Sequence, residues 1–112
     1  MNKMSTVLLL PSFQKKLEKI NKAHLKIILK LIKKLERMGK NALKILDVEE
    51  YYLLCEMKVM RPPYRLYVIV NQKTNKYYIA EWEHKEKQNK VIGELKHKLF
   101  LALEAGLEKV FT

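Results

Sequence analysis

A single cysteine, Cys55, can close no internal disulfide, so the chain has no covalent framework and no mark of an oxidising compartment. Three glycines and three prolines are too few for a linker-rich or low-complexity chain. No apolar run is long: Val7 to Leu10 spans four residues and stops at Pro11, whereas a secretory core takes ~7–15 residues and a membrane span ~20. The chain is therefore expected to be cytoplasmic, with no membrane partner. No Cys/His spacing matches a metal site and no glycine-rich phosphate loop occurs, so no metal and no cofactor are expected. Acidic residues are scarce as well, 12 against 23 basic ones, and 20 of those 23 are lysine.

What remains is an apolar-rich, basic chain. A hydrophobic share of 48% argues against disorder, and a chain of 112 residues suits one domain spanning 1–112. The net charge of +11 is unevenly placed. Residues 1–46 carry eleven Lys and one Arg against Glu18 and Glu36, whereas residues 47–112 nearly balance, with eleven basic residues against ten acids. Such asymmetry fits a polyanionic partner, RNA first among them. A general lysine bias of the source proteome would produce the same excess.

Periodicity divides the chain. Ser5 to Leu10 is β-prone and reads as a short strand, ended by Pro11. Ser12 is placed to cap a helix over about 12–20, with Phe13, Leu17 and Ile20 on one side. After a turn at Asn21 and Lys22, a longer helix is predicted over about 23–38. Leu25, Ile28, Leu29, Ile32 and Leu35 form its apolar stripe, and Lys26, Lys30, Lys33, Lys34 and Arg37 its wet side. Gly39 stands where a residue of positive φ stops a helix. Alternation then predicts strands at 52–59, 64–70 and 77–83, broken by Arg61-Pro62-Pro63 and by a polar loop from Asn71 to Lys76. From about 88 to 110 the spacing of Ile92, Leu95, Leu99, Leu103, Leu107 and Val110 predicts a long last helix. Gly93 and Gly106 each weaken it by ~1 kcal/mol relative to alanine, so it needs the sheet or a second copy of the chain to pack on. The expected class is α+β with order β-α-α-β-β-β-α: a helical hairpin on a small, mainly antiparallel, twisted sheet, plus a long C-terminal helix.

That order, with Glu56-Met57-Lys58 ending one strand, Pro63-Tyr64-Arg65-Leu66-Tyr67-Val68-Ile69-Val70 forming the next, and Ile79 running through to His84-Lys85-Glu86-Lys87-Gln88, resembles the RelE/ParE toxin superfamily over nearly the whole chain. The resemblance implies a RelE-like fold and a toxin of a toxin–antitoxin pair, with a cognate antitoxin as partner. RelE-like and HigB-like members cleave mRNA on the ribosome through metal-independent attack of a ribose 2′-OH on the adjacent phosphate; ParE-like members poison DNA gyrase. By resemblance Lys58 matches a catalytic basic residue, Arg65 the arginine that holds the phosphate, and Lys85 a basic residue just past the last strand. Val91 and Ile92 stand where some members carry a further tyrosine, and lysines stand where the family tends to use arginine.

The chemistry of these residue types agrees with that expectation. Attack on phosphate gathers charge on the non-bridging oxygens, which fixed cations stabilise; Arg grips two oxygens in a fork and Lys acts as a point charge. His84 is a candidate general acid, giving Lys58, Arg65, His84 and Lys85 as catalytic candidates. Arg61, Lys87, Gln88, Lys30, Lys33 and Lys34 are candidate RNA contacts. Each has a plainer alternative: Arg65 pairs with Glu56 or Glu81, Lys58 is a solvated strand residue, and His84 a simple strand end. A non-catalytic basic nucleic-acid-binding module is the corresponding alternative for the whole protein. Cys55 reads as a buried small hydrophobe, Trp82 and the tyrosines as core, and His24 and His97 receive no role.

Overall fold

The computed structural model describes residues 4–112. Strand β1 (Thr6–Leu9) leads into helix α1 (Pro11–Leu17) and helix α2 (Lys22–Met38), a 3-10 turn (Gly39–Ala42), and strands β2 (Lys44–Glu49), β3 (Tyr52–Val59), β4 (Tyr64–Asn71) and β5 (Lys76–His84). A second 3-10 turn (Lys85–Lys87) passes into helices α3 (Gln88–Ala105) and α4 (Leu107–Val110). The five strands lie in the order β1-β5-β4-β3-β2; β2 to β5 form an antiparallel meander, and β1 joins β5 in parallel. The expected α+β class holds, with one strand more than the predicted order.

That additional strand is β2. Its pairing with β3 slips between Ile45 and Asp47, so one residue bulges and the two-residue alternation fails. Its turn into β3 runs through Glu50 at φ 54, without the glycine or asparagine that advertises a hairpin. Ile45 and Val48 lie exposed on this edge strand, so burial imposes no clean pattern on it.

Strand alternation gives the sheet two apolar faces. Leu53, Cys55 and Met57 of β3, with Leu66, Val68 and Val70 of β4, pack under Phe13, Ile28 and Leu35 of the α1–α2 hairpin. Tyr52, Leu54, Tyr67 and Ile69 point the other way, against Val91, Leu95, Leu99 and Ala102 of α3 and Leu107 of α4. The last helix thus finds its packing on the sheet. It is also not continuous: Gly106, at φ 89 and ψ 151, sits in a conformation open in practice to glycine and parts α3 from α4. Gly39 has φ 58, and a Cβ there would come within 3.0 Å of the Ser5 hydroxyl and 3.2 Å of the Tyr77 hydroxyl, so the end of α2 and β1 meet through a residue without a side chain.

Two helix starts differ in detail from expectation. Pro11 opens α1, with Leu10 as the cap residue and no capping side chain; Ser12 lies inside the helix and its backbone N–H donates to the Phe111 carbonyl at 2.9 Å. Proline at the first position has no N–H to satisfy, so a capping hydroxyl is less needed there. Asn21 caps α2, accepting from the His24 N–H at 2.9 Å. Among the described residues no helix is long and apolar enough to cross a membrane.

Candidate active site

The lower end of the meander gathers the predicted cations. Lys58 and Arg65 are cross-strand partners of β3 and β4, so their side chains leave the same face, that of α3. The turn between those strands carries a cis Arg61–Pro62 bond. The Pro63 carbonyl accepts from the Lys85 N–H at 2.9 Å and fastens the exit of β5 to that turn. The result is a cavity of about 110 Å³ lined by Lys58, Val59, Met60, Pro63, Arg65 and Lys85. Three of the four catalytic candidates therefore meet in one concavity, although they come from three separate stretches of chain.

Arg65 is unusually enclosed, 8% exposed. Its Nη1 donates to the Val59 carbonyl at 3.3 Å and the Tyr64 carbonyl at 3.1 Å. Its Nε lies 3.8 Å from Glu56 Oε2 and has no hydrogen-bond partner. Lys58 and Lys85 are exposed. Glu83, cross-strand from Arg65, is drawn below its ordinary pKa of 4.5: burial works to raise it, but the His84 N–H and the Lys16 and Lys87 charges together outweigh burial. Its carboxylate is thus ionised at neutral pH and engaged by Lys16 at 3.3 Å and Lys87 at 3.9 Å.

His84 does not join the cavity. It pairs across β4 with Tyr64, one residue out of phase with Arg65, so its ring leaves the hairpin face and meets the edge of Tyr64 at a centroid distance of 5.3 Å. Its Nδ1 accepts from the Glu86 N–H at 3.1 Å, which leaves Nε2 as the nitrogen able to carry a proton. Tyr64 in turn stacks on Trp82 at 4.9 Å, and Trp82 Nε1 donates to His24 Nδ1 at 3.0 Å. His24, given no role on sequence grounds, is thereby the link between α2 and the aromatic end of the sheet; an isolated histidine in a lysine-rich helix carries no signal of this.

The candidate RNA contacts separate. Arg61 is exposed in the turn beside the cavity, and Lys87 is exposed and paired with Glu83. Gln88 is half-buried, and its amide donates to Glu56 Oε2 at 3.3 Å. Lys30, Lys33 and Lys34 are exposed on α2, on the other side of the sheet from the cavity. Sequence reading offered Glu56 as a partner for Arg65, and the structure pairs them; it missed Gln88 as a tie and Met60 and Pro63 as walls. Cys55 is fully buried and its thiol is pushed up to about 12 by that burial, which leaves it unreactive.

No protein-family model matches this chain, and no curated protein does. Among solved structures it is similar to the crystal structure of the archaeal RelE–RelB complex from Pyrococcus horikoshii OT3, with a TM-score of 0.60 and 20% identity over 73% of this chain and 96% of the matched one. At that identity the likeness speaks for architecture, and it agrees with the strand order and the two helical layers: the chain has the RelE-like fold.

Proposed function

We propose that this protein is a toxin of the RelE type, an endoribonuclease that cuts mRNA on the ribosome. The observation that carries the reading is the convergence of Lys58, Arg65 and Lys85 on one small cavity, with Arg65 buried and its Nη1 bonded to two backbone carbonyls. A gyrase poison of the ParE type has no need of such a phosphate-sized cluster of cations, and a non-catalytic basic module has no need of a buried, oriented arginine.

In this reading the scissile phosphate lies in the cavity. The 2′-oxygen attacks the adjacent phosphorus and releases its proton, the bond to the 5′-oxygen breaks, and that oxygen takes up a proton. The products are a 2′,3′-cyclic phosphate and a free 5′-hydroxyl. Arg65 and the two lysines meet the charge that grows on the non-bridging oxygens. Proton delivery to the leaving oxygen is assigned to one of the two lysines that line the cavity, since the His84 ring leaves the opposite face of the sheet. The α2 lysines, Lys30, Lys33 and Lys34 among them, steer the protein to ribosomal RNA. The RelE–RelB neighbour motivates a cognate antitoxin as protein partner, and an acidic protein encoded in the adjoining reading frame is the expected form. A second copy of the chain is assigned to the outer face of α3.

Induction of the protein should stop growth through loss of translation, with primer extension showing breaks inside translated frames. Intact transcripts together with cleaved or relaxed chromosomal DNA would move it to the gyrase-directed class.

A further inference from the structure

Glu56 is the one buried carboxylate among the described residues, at 4% exposure, and Arg65 is the one buried cation. Burying either charge alone is costly, and a pair offsets that cost when its geometry is held by further hydrogen bonds. Here the holding is asymmetric. On the Arg65 side, Nη1 is committed to the Val59 and Tyr64 carbonyls. On the Glu56 side, Oε2 accepts from the Gln88 amide at 3.3 Å and lies 3.8 Å from Arg65 Nε, while Oε1 has Lys44 Nζ at 4.0 Å. Lys44 is largely exposed and makes no hydrogen bond to Glu56 at 4.0 Å, so Gln88, at the first residue of α3, is the group that fixes the carboxylate. Tyr67, cross-strand from Glu56, keeps its proton: burial first, then the Glu56 charge, pushes its hydroxyl up to about 12.

From this arrangement we infer that Glu56 is a positioning residue for Arg65 and that Gln88 ties it to the start of α3. The inference rests on the nuclease reading for its function, but the tie itself is a matter of structure. With Nη1 bound to carbonyls and Nε turned to Glu56, Nη2 has no protein acceptor among the described residues and is the nitrogen left for a phosphate oxygen in the cavity. Glu56 never touches the substrate. It sets the angle of the guanidinium plane, and so converts a flexible side chain into a preorganised one. It also connects the cavity to α3, so the seating of that helix on the sheet and the aim of Arg65 become one property.

Two readouts test this separately. In ¹⁵N-labelled protein, the Arg65 Nε–Hε resonance should shift and its hydrogen exchange quicken in Glu56→Gln, which keeps the shape of the side chain and removes its charge. An unmoved resonance would overturn the inference. In single-turnover cleavage of mRNA on ribosomes, Glu56→Gln should lower the plateau rate roughly 10-fold to 100-fold, the scale of a slightly misplaced catalytic group, without moving the half-saturating concentration. Glu56→Asp should regain part of that rate, and Gln88→Leu should lose less than Glu56→Gln does. A plateau equal to wild type, or a loss that appears only in half-saturation, would equally overturn it. Should Glu56→Gln not fold, Gln88→Leu carries both measurements, since it cuts the tie and leaves the ion pair. A wild-type protein that cleaves no RNA, together with an Arg65 resonance that shifts in Glu56→Gln, would sink the nuclease reading and uphold the Glu56–Arg65 tie.

Discussion

Arg65 illustrates how little an isolated residue type says and how much its surroundings add. A strand arginine next to acidic residues suggests an ion pair, and Glu56 supplies one; the same side chain also lines the cavity beside Lys58 and Lys85. The two roles are compatible because a guanidinium has five donors and the pair occupies one edge. Arg65→Ala should lower cleavage ~10²–10³-fold, the cost of losing one preorganised charge-stabilising donor. It should also destabilise the fold by about 3 kcal/mol, because it strands Glu56 in the interior. Arg65→Lys separates the effects: the charge stays near Glu56, the fork is lost, and cleavage should recover only in part while urea unfolding moves little toward the alanine value. A lysine variant with full activity would reduce Arg65 to an ion-pair partner. His84→Gln should leave the plateau rate of cleavage unchanged, because its ring packs on Tyr64 on the face away from the cavity. A slower plateau with ribosome binding intact would bring His84 into the reaction.

At the scale of elements, legibility followed burial. Strands β3, β4 and β5 alternate between two covered faces and were readable, as were the two helices of the hairpin, which meet one sheet face through Phe13, Ile28 and Leu35, although Leu29 of the expected α2 stripe is 48% exposed. Strand β2 was not, because a bulged edge strand with exposed Ile45 and Val48 has no face to betray it. Lys58, Arg65 and Lys85 were legible through resemblance; the opposite-face placement of His84 follows from strand register, which a motif does not carry. Gln88 reads from the sequence as an RNA contact, and its tie to Glu56 was hidden because that acceptor lies 32 residues away. Helix α3 settles against the sheet through Val91, Leu95, Leu99 and Ala102, yet Phe100 at 62% and Leu101 at 45% exposure remain on its outer side. A homodimer through this face should appear in sedimentation as a concentration-dependent shift that Phe100→Glu abolishes. A strict monomer at high concentration would leave the face to another partner.

For the whole molecule the governing quantity is the distribution of charge. Lys22, Lys26, Lys30, Lys33, Lys34 and Arg37 are all exposed along α2, the helix whose inner side packs on the sheet face away from the cavity. Steps of three or four residues along a helix advance about 5–6 Å, close to the reach between successive phosphates, so this stripe can follow a nucleic-acid backbone as a row of point charges. Binding of that kind acts by releasing counterions, and each phosphate neutralised contributes about −0.7 to −0.9 to the slope of log affinity against log salt. Affinity for ribosomes or RNA should therefore fall steeply between low and moderate salt. Replacing Lys30, Lys33 and Lys34 together by Gln should flatten the slope by roughly 2–3 if all three meet phosphates. The plateau rate of cleavage should stay unchanged, because the cavity cations lie across the sheet and are untouched. A slope that does not change would make the stripe an ordinary solvated face. A flattened slope accompanied by a lower plateau rate would mean that the stripe orients the substrate in the cavity as well as attracting it, and that the two sides of the sheet act on one RNA.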